Sequence, residues 1–347
     1  MLVPIDRLEE LIDAKLRAAG LDDDAARFTA HVLAWADARG VHSHGVVRVE
    51  YYCERIAKGG LTVPAPIEIT SRTPTTHVVD AGNGSGFVAA RAATALAIET
   101  ARERGVAVVG TRRMGHSGPI GYYSLQLAAA GLVGLTLCQS DPMAVPFGGA
   151  DPFFGTNPIA FAAPVDDDRE FVVDMATTVQ AWGKVLDARS RGVAIPDTWA
   201  VGHDGLPTTD PNDVHGLLPI AGPKGMGLMA MVDILSGPML GLPFGPHVTS
   251  MYGDLTAGRE LGQLQIALDP AVFRGDGGFA AEIGRMLDEL TSSRPAEGVD
   301  RVRYPGQPEH ERYERSLREG VDIVDELYEY LIGDAIHFDR YSGAFFS

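Results

Sequence analysis

Residues 112–118 read Arg-Arg-Met-Gly-His-Ser-Gly and follow a β-branched run, 106–109, of the kind that forms a buried strand. His116 therefore stands in a glycine-flanked loop just past a strand, where rigid scaffolds carry their chemistry. An imidazole titrates near neutral pH, so it can take a proton from a hydroxyl and return it. The same ring could instead only bind loop backbone, and the rest of the chain has to decide between the two.

His42 and His44 have the His-x-His spacing of some metal sites. Here the pair follows a helical stretch and no Asp, Glu or Cys set completes a shell, so the reading favoured is without a metal. Ser43, His44 and Arg48 would instead line a pocket for an anion. Arg48 falls four residues after His44, on one face if the segment is helical, and a guanidinium can grip a carboxylate through two parallel hydrogen bonds. The bland alternative is a solvated or salt-bridged arginine. Lys224 lies between Gly222-Pro223 and Gly225 at an expected helix start, where amides and dipole favour a phosphate, or where a lysine simply faces solvent. Asp174 ends an expected strand; it would cap the next helix, accept ribose hydroxyls, or both. Gly155-Thr156-Asn157-Pro158 offers polar atoms and close backbone approach, or a plain turn. Gly82-Asn83-Gly84-Ser85-Gly86 resembles the opening of a dinucleotide fold, but Phe87 stands where the last glycine should be, so it reads as a packing turn. Neither a Gly-x-Ser-x-Gly elbow nor a Walker loop is present. Acid–base chemistry on a small anion, with a phosphate-bearing cofactor, is what remains.

The elements that must position these groups are mixed. Leu8, Leu11, Ile12 and Leu16 repeat with helical spacing behind an Asp6/Glu9 capping pattern, and a second helix is expected over 24–38. The first seventy residues read as helical, with Pro64, Pro66 and Pro74 marking the way out. Strands are expected at 77–80, 106–109, 132–137, 159–163, 171–174 and 263–268. Helices are expected at 89–104, from 117 to 129, around Lys184 and Arg189, at 225–235, 280–290 and 321–332. Alternation of strands and helices argues for an α/β (α+β) fold. We divide it into a helical N-terminal region (1–72), an α/β core (73–272) and a C-terminal helical region packing back on the core (273–347).

With 347 residues, 45% of them apolar and 22% charged, the chain is globular. A net charge of −17 argues against nucleic acid or an anionic membrane as partner. Cys53 and Cys138 sit among apolar neighbours and read as buried thiols. No signal-peptide pattern opens the sequence, and the run 226–235 is too short to span a bilayer. The expected compartment is the cytoplasm.

Long segments of the chain resemble the malate/L-lactate dehydrogenase family that lacks a Rossmann fold. They are 36–40 with Ser43-His44-Gly45, then 48–52, 114–118, 139–143, 145–150, 155–158, 174–191, 195–199, 207–211, 221–225 and 240–245. The resemblance implies NAD as cofactor and a 2-hydroxy acid as substrate. The members it resembles most oxidise (S)-ureidoglycolate to oxalurate in purine-derived nitrogen use; malate, lactate, sulfolactate and cyclic imino acids are the near alternatives. It implies that His116 is the general base and that Ser140 touches the substrate. Ser43, His44, Arg48 and Tyr52 would wall the substrate. Asp174, Met175, Ala176, Lys224, Gly306 and Gln307 would hold the cofactor, joined by Asn157 and Pro158. A homodimer or larger homo-oligomer is expected, from the family and from the apolar stretches 226–231 and 239–244. From a different class, a metal-dependent hydrolase would use His42, His44 and His116 as ligands.

Overall fold

Helical spacing of the first apolar residues makes the chain begin with helices packed on one another. In the computed structural model, which describes residues 1–341, a short strand β1 (Leu2–Val3) leads into α1 (Ile5–Ala18), α2 (Asp23–Ala38) and α3 (Val49–Ala57). Leu8, Leu11, Ile12 and Leu16 are the buried stripe of α1. Asp6 does not cap this helix: it begins at Ile5, after Pro4, and Asp6 sits in the first turn, where a carboxylate meets the helix dipole. Asp22 caps α2, its Oδ1 accepting the Ala25 amide at 2.9 Å.

Seven strands form the central sheet. They are β2 (Glu68–Thr73), β3 (Thr76–Gly84), β4 (Val106–Met114), β5 (Val133–Cys138), β6 (Ile159–Ala163), β7 (Phe171–Met175) and β10 (Leu261–Leu268), in the spatial order β2-β3-β4-β10-β5-β6-β7. Two helices interrupt the strand run: α4 (Gly86–Arg104) and α5 (Gly121–Ala129). α6 (Trp182–Arg191), the hairpin β8 (Ala200–Gly202) and β9 (Val214–Leu217), and α7 (Pro223–Ser236) fall between β7 and β10. β3 and β4 are parallel; β10 is antiparallel to both β4 and β5, and β6 is antiparallel to β5 and β7. The C-terminal ends of β3, β4, β5 and β7 thus share one end of the sheet with the starts of β6 and β10. The alanine-rich face of α4 meets Val79, Val109 and Ala267 on one side, and Val232 of α7 meets Leu137 and Leu264 on the other. Among the described residues no helix is long and apolar enough to cross a membrane.

The C-terminal part departs most from expectation. After α8 (Pro270–Arg274) and α9 (Phe279–Thr291) comes α10 (Gln307–Glu319), a helix without an apolar stripe that the sequence pattern does not reveal. The helix expected at 321–332 begins only at Asp325, as α11 (Asp325–Ile332), because β11 (Val321–Asp322) pairs with β1 instead. β2 is exposed along its whole length, so it lacks the alternation that signals a half-buried strand.

Candidate active site

The shared sheet end gathers the polar residues. β4 ends at Met114, opposite Leu261 of β10, and delivers His116; β5 ends at Cys138, opposite Gln263, and delivers Ser140. The glycine turn 82–86 is a packing device: a Cβ on Gly86 would lie 2.2 Å from the Gly115 carbonyl, so only glycine lets α4 start against the His116 loop.

Two imidazoles stack there. The rings of His44 and His116 lie 5.5 Å apart at 21°, and Tyr52 stacks on His116 at 6.1 Å. The Tyr52 hydroxyl is 2.7 Å from His116 Nδ1, which also accepts the Gly118 amide at 3.2 Å. Ser43 Oγ is 2.9 Å from His44 Nδ1. Burial lowers His44 to about 3, helped by the Arg48 charge. Burial also takes His116 well below the ordinary histidine range, and the fields of His44, Arg48 and Arg259 add to it. Both rings are therefore neutral at pH 7. The expected titration of His116 near the ordinary value is corrected downward accordingly. Tyr52 is pushed up by burial and stays a neutral hydroxyl.

Arg48 reaches this cluster by another route than one helical face. His42–His44 and Val46–Arg48 are two separate 3₁₀ turns broken at Gly45, where the Asp37 carboxylate lies so close that a Cβ would collide with it. Arg48 Nε donates to the Ser43 carbonyl at 2.7 Å and Nη1 donates to the Tyr252 hydroxyl, while Nη2 meets no acceptor among the described residues. His42 turns away and binds Asp37 at 2.9 Å.

On the other side of β10, Ser140 Oγ lies 3.2 Å from Thr156 Oγ1 and the Ser140 amide donates to Asn157 Oδ1. Thr177, just past Met175 and Ala176, binds the Thr156 and Asn157 carbonyls, and its own carbonyl accepts the Ile220 amide. Pro158 precedes β6, and the loop from Ile220 runs into α7 at Pro223-Lys224. Asp174 does not cap α6. Its Oδ2 accepts the amide of Gly121, the first residue of α5, at 2.9 Å, and a Cβ on Gly121 would close that approach at 2.6 Å. Crowding by protein raises the Asp174 carboxyl to about 6, although the side chain still reaches solvent.

These residues fit a nucleotide cofactor. Asp174 Oδ1 meets no donor and Lys224 makes no ion pair among the described residues, leaving a carboxylate oxygen for hydroxyls and an ammonium at a helix start for phosphate. Gly306 has φ +90° and packs so tightly on Val172 that a Cβ would come within 2.7 Å, which brings the start of α10 beside the Asp174 strand. Gln307 has its side-chain amide engaged by Tyr304 and Glu311 instead.

Sequence reasoning missed the groups that brace the site. Asp141 and Arg259 form a buried pair at 3.0 Å across 118 residues of chain, and Asp141 Oδ2 accepts the Met251 amide next to Tyr252. Only the polar Asp141 after an apolar strand could have signalled it; nothing local marks Arg259 or Tyr252.

Comparison with known proteins places this geometry. Residues 3–332 match the family model described as malate/L-lactate dehydrogenase. The chain is 53% identical, over 98% of both sequences, to the ureidoglycolate dehydrogenase (NAD(+)) of Escherichia coli strain K12. It is 36% identical, over 95% of both, to the L-sulfolactate dehydrogenase of Methanocaldococcus jannaschii. Among solved structures it is similar to malate dehydrogenase from Entamoeba histolytica, with a TM-score of 0.90, 28% identity and coverage of 95% and 96% of the two chains. By sequence and by fold, the chain belongs to the malate/L-lactate dehydrogenase family.

Proposed function

We propose that this dehydrogenase oxidises (S)-ureidoglycolate to oxalurate with NAD, in purine-derived nitrogen use. The pair of half-buried, neutral imidazoles beside the Arg48 guanidinium carries the chemistry of this reading. The substrate comes from the likeness to the ureidoglycolate enzyme, in which nearly the whole of both chains takes part.

Arg48 Nη2 binds the substrate carboxylate, and Ser43, His44, Tyr52 and Ser140 line the space around the hydroxyl-bearing carbon. His116 accepts the hydroxyl proton at Nε2. For this the neutral ring takes the tautomer with its hydrogen on Nδ1, which the Tyr52 oxygen accepts, and gives up the Gly118 amide; in the other tautomer Nδ1 is bare and both the Tyr52 hydroxyl and the Gly118 amide donate to it. When bound, the nicotinamide supplies the hydride acceptor. Asp174, Met175, Ala176 and Lys224, with Asn157, Pro158 and Gly306, hold and orient the cofactor. Gln307 contributes backbone rather than its occupied side chain.

The experiment that tests this follows NADH absorbance with ureidoglycolate, malate, lactate and sulfolactate, each with NAD and with NADP. Ureidoglycolate with NAD should give the highest kcat/KM, and a higher value with another hydroxy acid overturns the substrate assignment. The Asp174 carboxylate should repel a ribose phosphate, so NADP should be used at least about tenfold less well, and Asp174→Asn should narrow that gap. Because the surrounding protein raises this exposed carboxyl to about 6, its charge is present above that pH. The KM for NAD should rise as pH falls through 6 in the wild type and stay flat in Asp174→Asn.

A homodimer in the cytoplasm completes the proposal. Met231, Ile234, Met239 and Phe244 are exposed around α7, an apolar surface that a second copy would cover. Light scattering should give about twice the chain mass of 36.9 kDa, and a monomer at micromolar concentration would count against it.

A further inference from the structure

Residues 333–341 lie beyond the stretch that the family model matches, and no feature of their sequence suggests a role. The structure nevertheless fastens them with buried polar groups. Lys15, 5% exposed, donates to the carbonyls of Gly333 and Ala335. The Tyr330 hydroxyl donates to the Ile336 carbonyl at 2.6 Å. Glu50 and Glu54, one turn apart on α3 and 7% and 0% exposed, accept the amides of Phe338 and Tyr341, each at 3.1 Å. Arg340 adds an ion pair to Glu326 at 3.0 Å. Withdrawing this segment would strip Lys15 and Glu50 of the backbone partners named here, and an unpaired buried charge is costly.

What the fastening positions is an aromatic ring. Tyr341 stacks on Tyr252 at 5.6 Å and 20°, and meets Tyr51 edge-on at 5.7 Å. The Tyr252 hydroxyl is the acceptor for Arg48 Nη1. α3 therefore connects two functions: Tyr52 and the preceding Arg48 face the substrate, while Glu50 and Glu54 hold the tail that backs Tyr252.

We infer that residues 333–341 are a strap that fixes the substrate wall, with Tyr341 as the positioning residue that seats Tyr252 against the Arg48 guanidinium. The inference rests on the reading of Arg48 as the carboxylate-binding group. Tyr341 touches neither the reacting atoms nor the cofactor, so its loss should be felt in substrate binding. A stacked aromatic pair is worth about 0.5–1.5 kcal/mol, so Tyr341→Ala should raise the KM for ureidoglycolate about two- to tenfold. The kcat and the KM for NAD should stay within about twofold, and Tyr341→Phe should restore the wild-type KM.

Calorimetric binding of oxamate, a non-reacting mimic of a 2-oxo acid, to the NADH-loaded enzyme should weaken by the same factor in Tyr341→Ala. If the wild type fails to oxidise ureidoglycolate but binds oxamate, and Tyr341→Ala weakens that binding, the substrate assignment fails and the strap stands. Should Tyr341→Ala not fold, Tyr341→Leu keeps apolar bulk without an aromatic face and should show the same KM increase. Unchanged KM and oxamate affinity in a folded Tyr341→Ala or Tyr341→Leu overturns the inference. So does a lowered melting temperature with KM unchanged, since it would assign Tyr341 to packing alone.

Discussion

Replacing His116 with alanine is expected to lower kcat for hydroxy-acid oxidation by about 10²–10⁴-fold, the usual worth of a positioned general base. As hydride leaves the carbon, the hydroxyl proton must leave too, or the product would be a protonated carbonyl. A neutral ring has a lone pair for that proton, and burial with the charges of Arg48 and Arg259 keeps this ring neutral at pH 7. The sign of the pH dependence follows. Lowered well below 6.5, the base is competent throughout the neutral range, so the acid limb of kcat/KM for oxidation falls below pH 6.5 and disappears in His116→Ala. His116→Gln preserves some hydrogen bonding to Tyr52 and should bind substrate without recovering rate. Both variants should keep NAD affinity, measured by calorimetry, and a cooperative thermal transition. Near-normal turnover in His116→Ala would move the search to His44, the ring stacked on it, and His44→Ala would then show the larger loss.

Arg48→Lys should reduce kcat/KM for the substrate by about 30- to 150-fold, the equivalent of about 2–3 kcal/mol for a charge-assisted contact in a desolvated place. The KM for NAD should stay unchanged. Arg48 is committed to protein at Ser43, Tyr252 and the Met251 sulfur, and its planar fork leaves Nη2 without an acceptor among the described residues once Nε and Nη1 are occupied. A lysine ammonium can satisfy one or two of these partners but cannot hold the wall and the carboxylate together. Steady-state kinetics at fixed saturating NAD would check this. Unchanged substrate kinetics would place Arg48 outside the binding site.

Much of the sheet was legible because its strands carry apolar runs between glycine-marked turns, as at 106–109 and 159–163. The polar edge strand β2 and the helix α10 were not, since neither presents an apolar face to read. β11 reads as helix in the sequence because Val321 and Ile323 fit either period, and only the pairing of Val321 with Val3 and Asp322 with Leu2 makes it a strand. His116, Arg48 and Lys224 stood out from residue chemistry beside glycines and expected element ends. Tyr252, Arg259 and Tyr341 did not: each acts through a partner far away in the sequence, and one chain with a single copy of each residue carries no trace of that pairing. The spacing argument for His44 and Arg48 reached a correct neighbourhood by a wrong geometry, since Gly45 divides the helix it assumed.

β10 lies between β4 and β5, although it is made long after both. As the protein emerges from the ribosome, the His116 and Ser140 strands must wait, each with an unpaired edge, until residues 261–268 arrive to join them. Such non-local pairing is slow to form and leaves sticky edges in the interval. An N-terminal fragment ending before that strand lacks the partner that joins the His116 and Ser140 strands. Birth of the enzyme should therefore be nearly all-or-none: activity in a translation time course should lag behind chain length and appear only after residues 261–268, in the last quarter of the chain, have emerged.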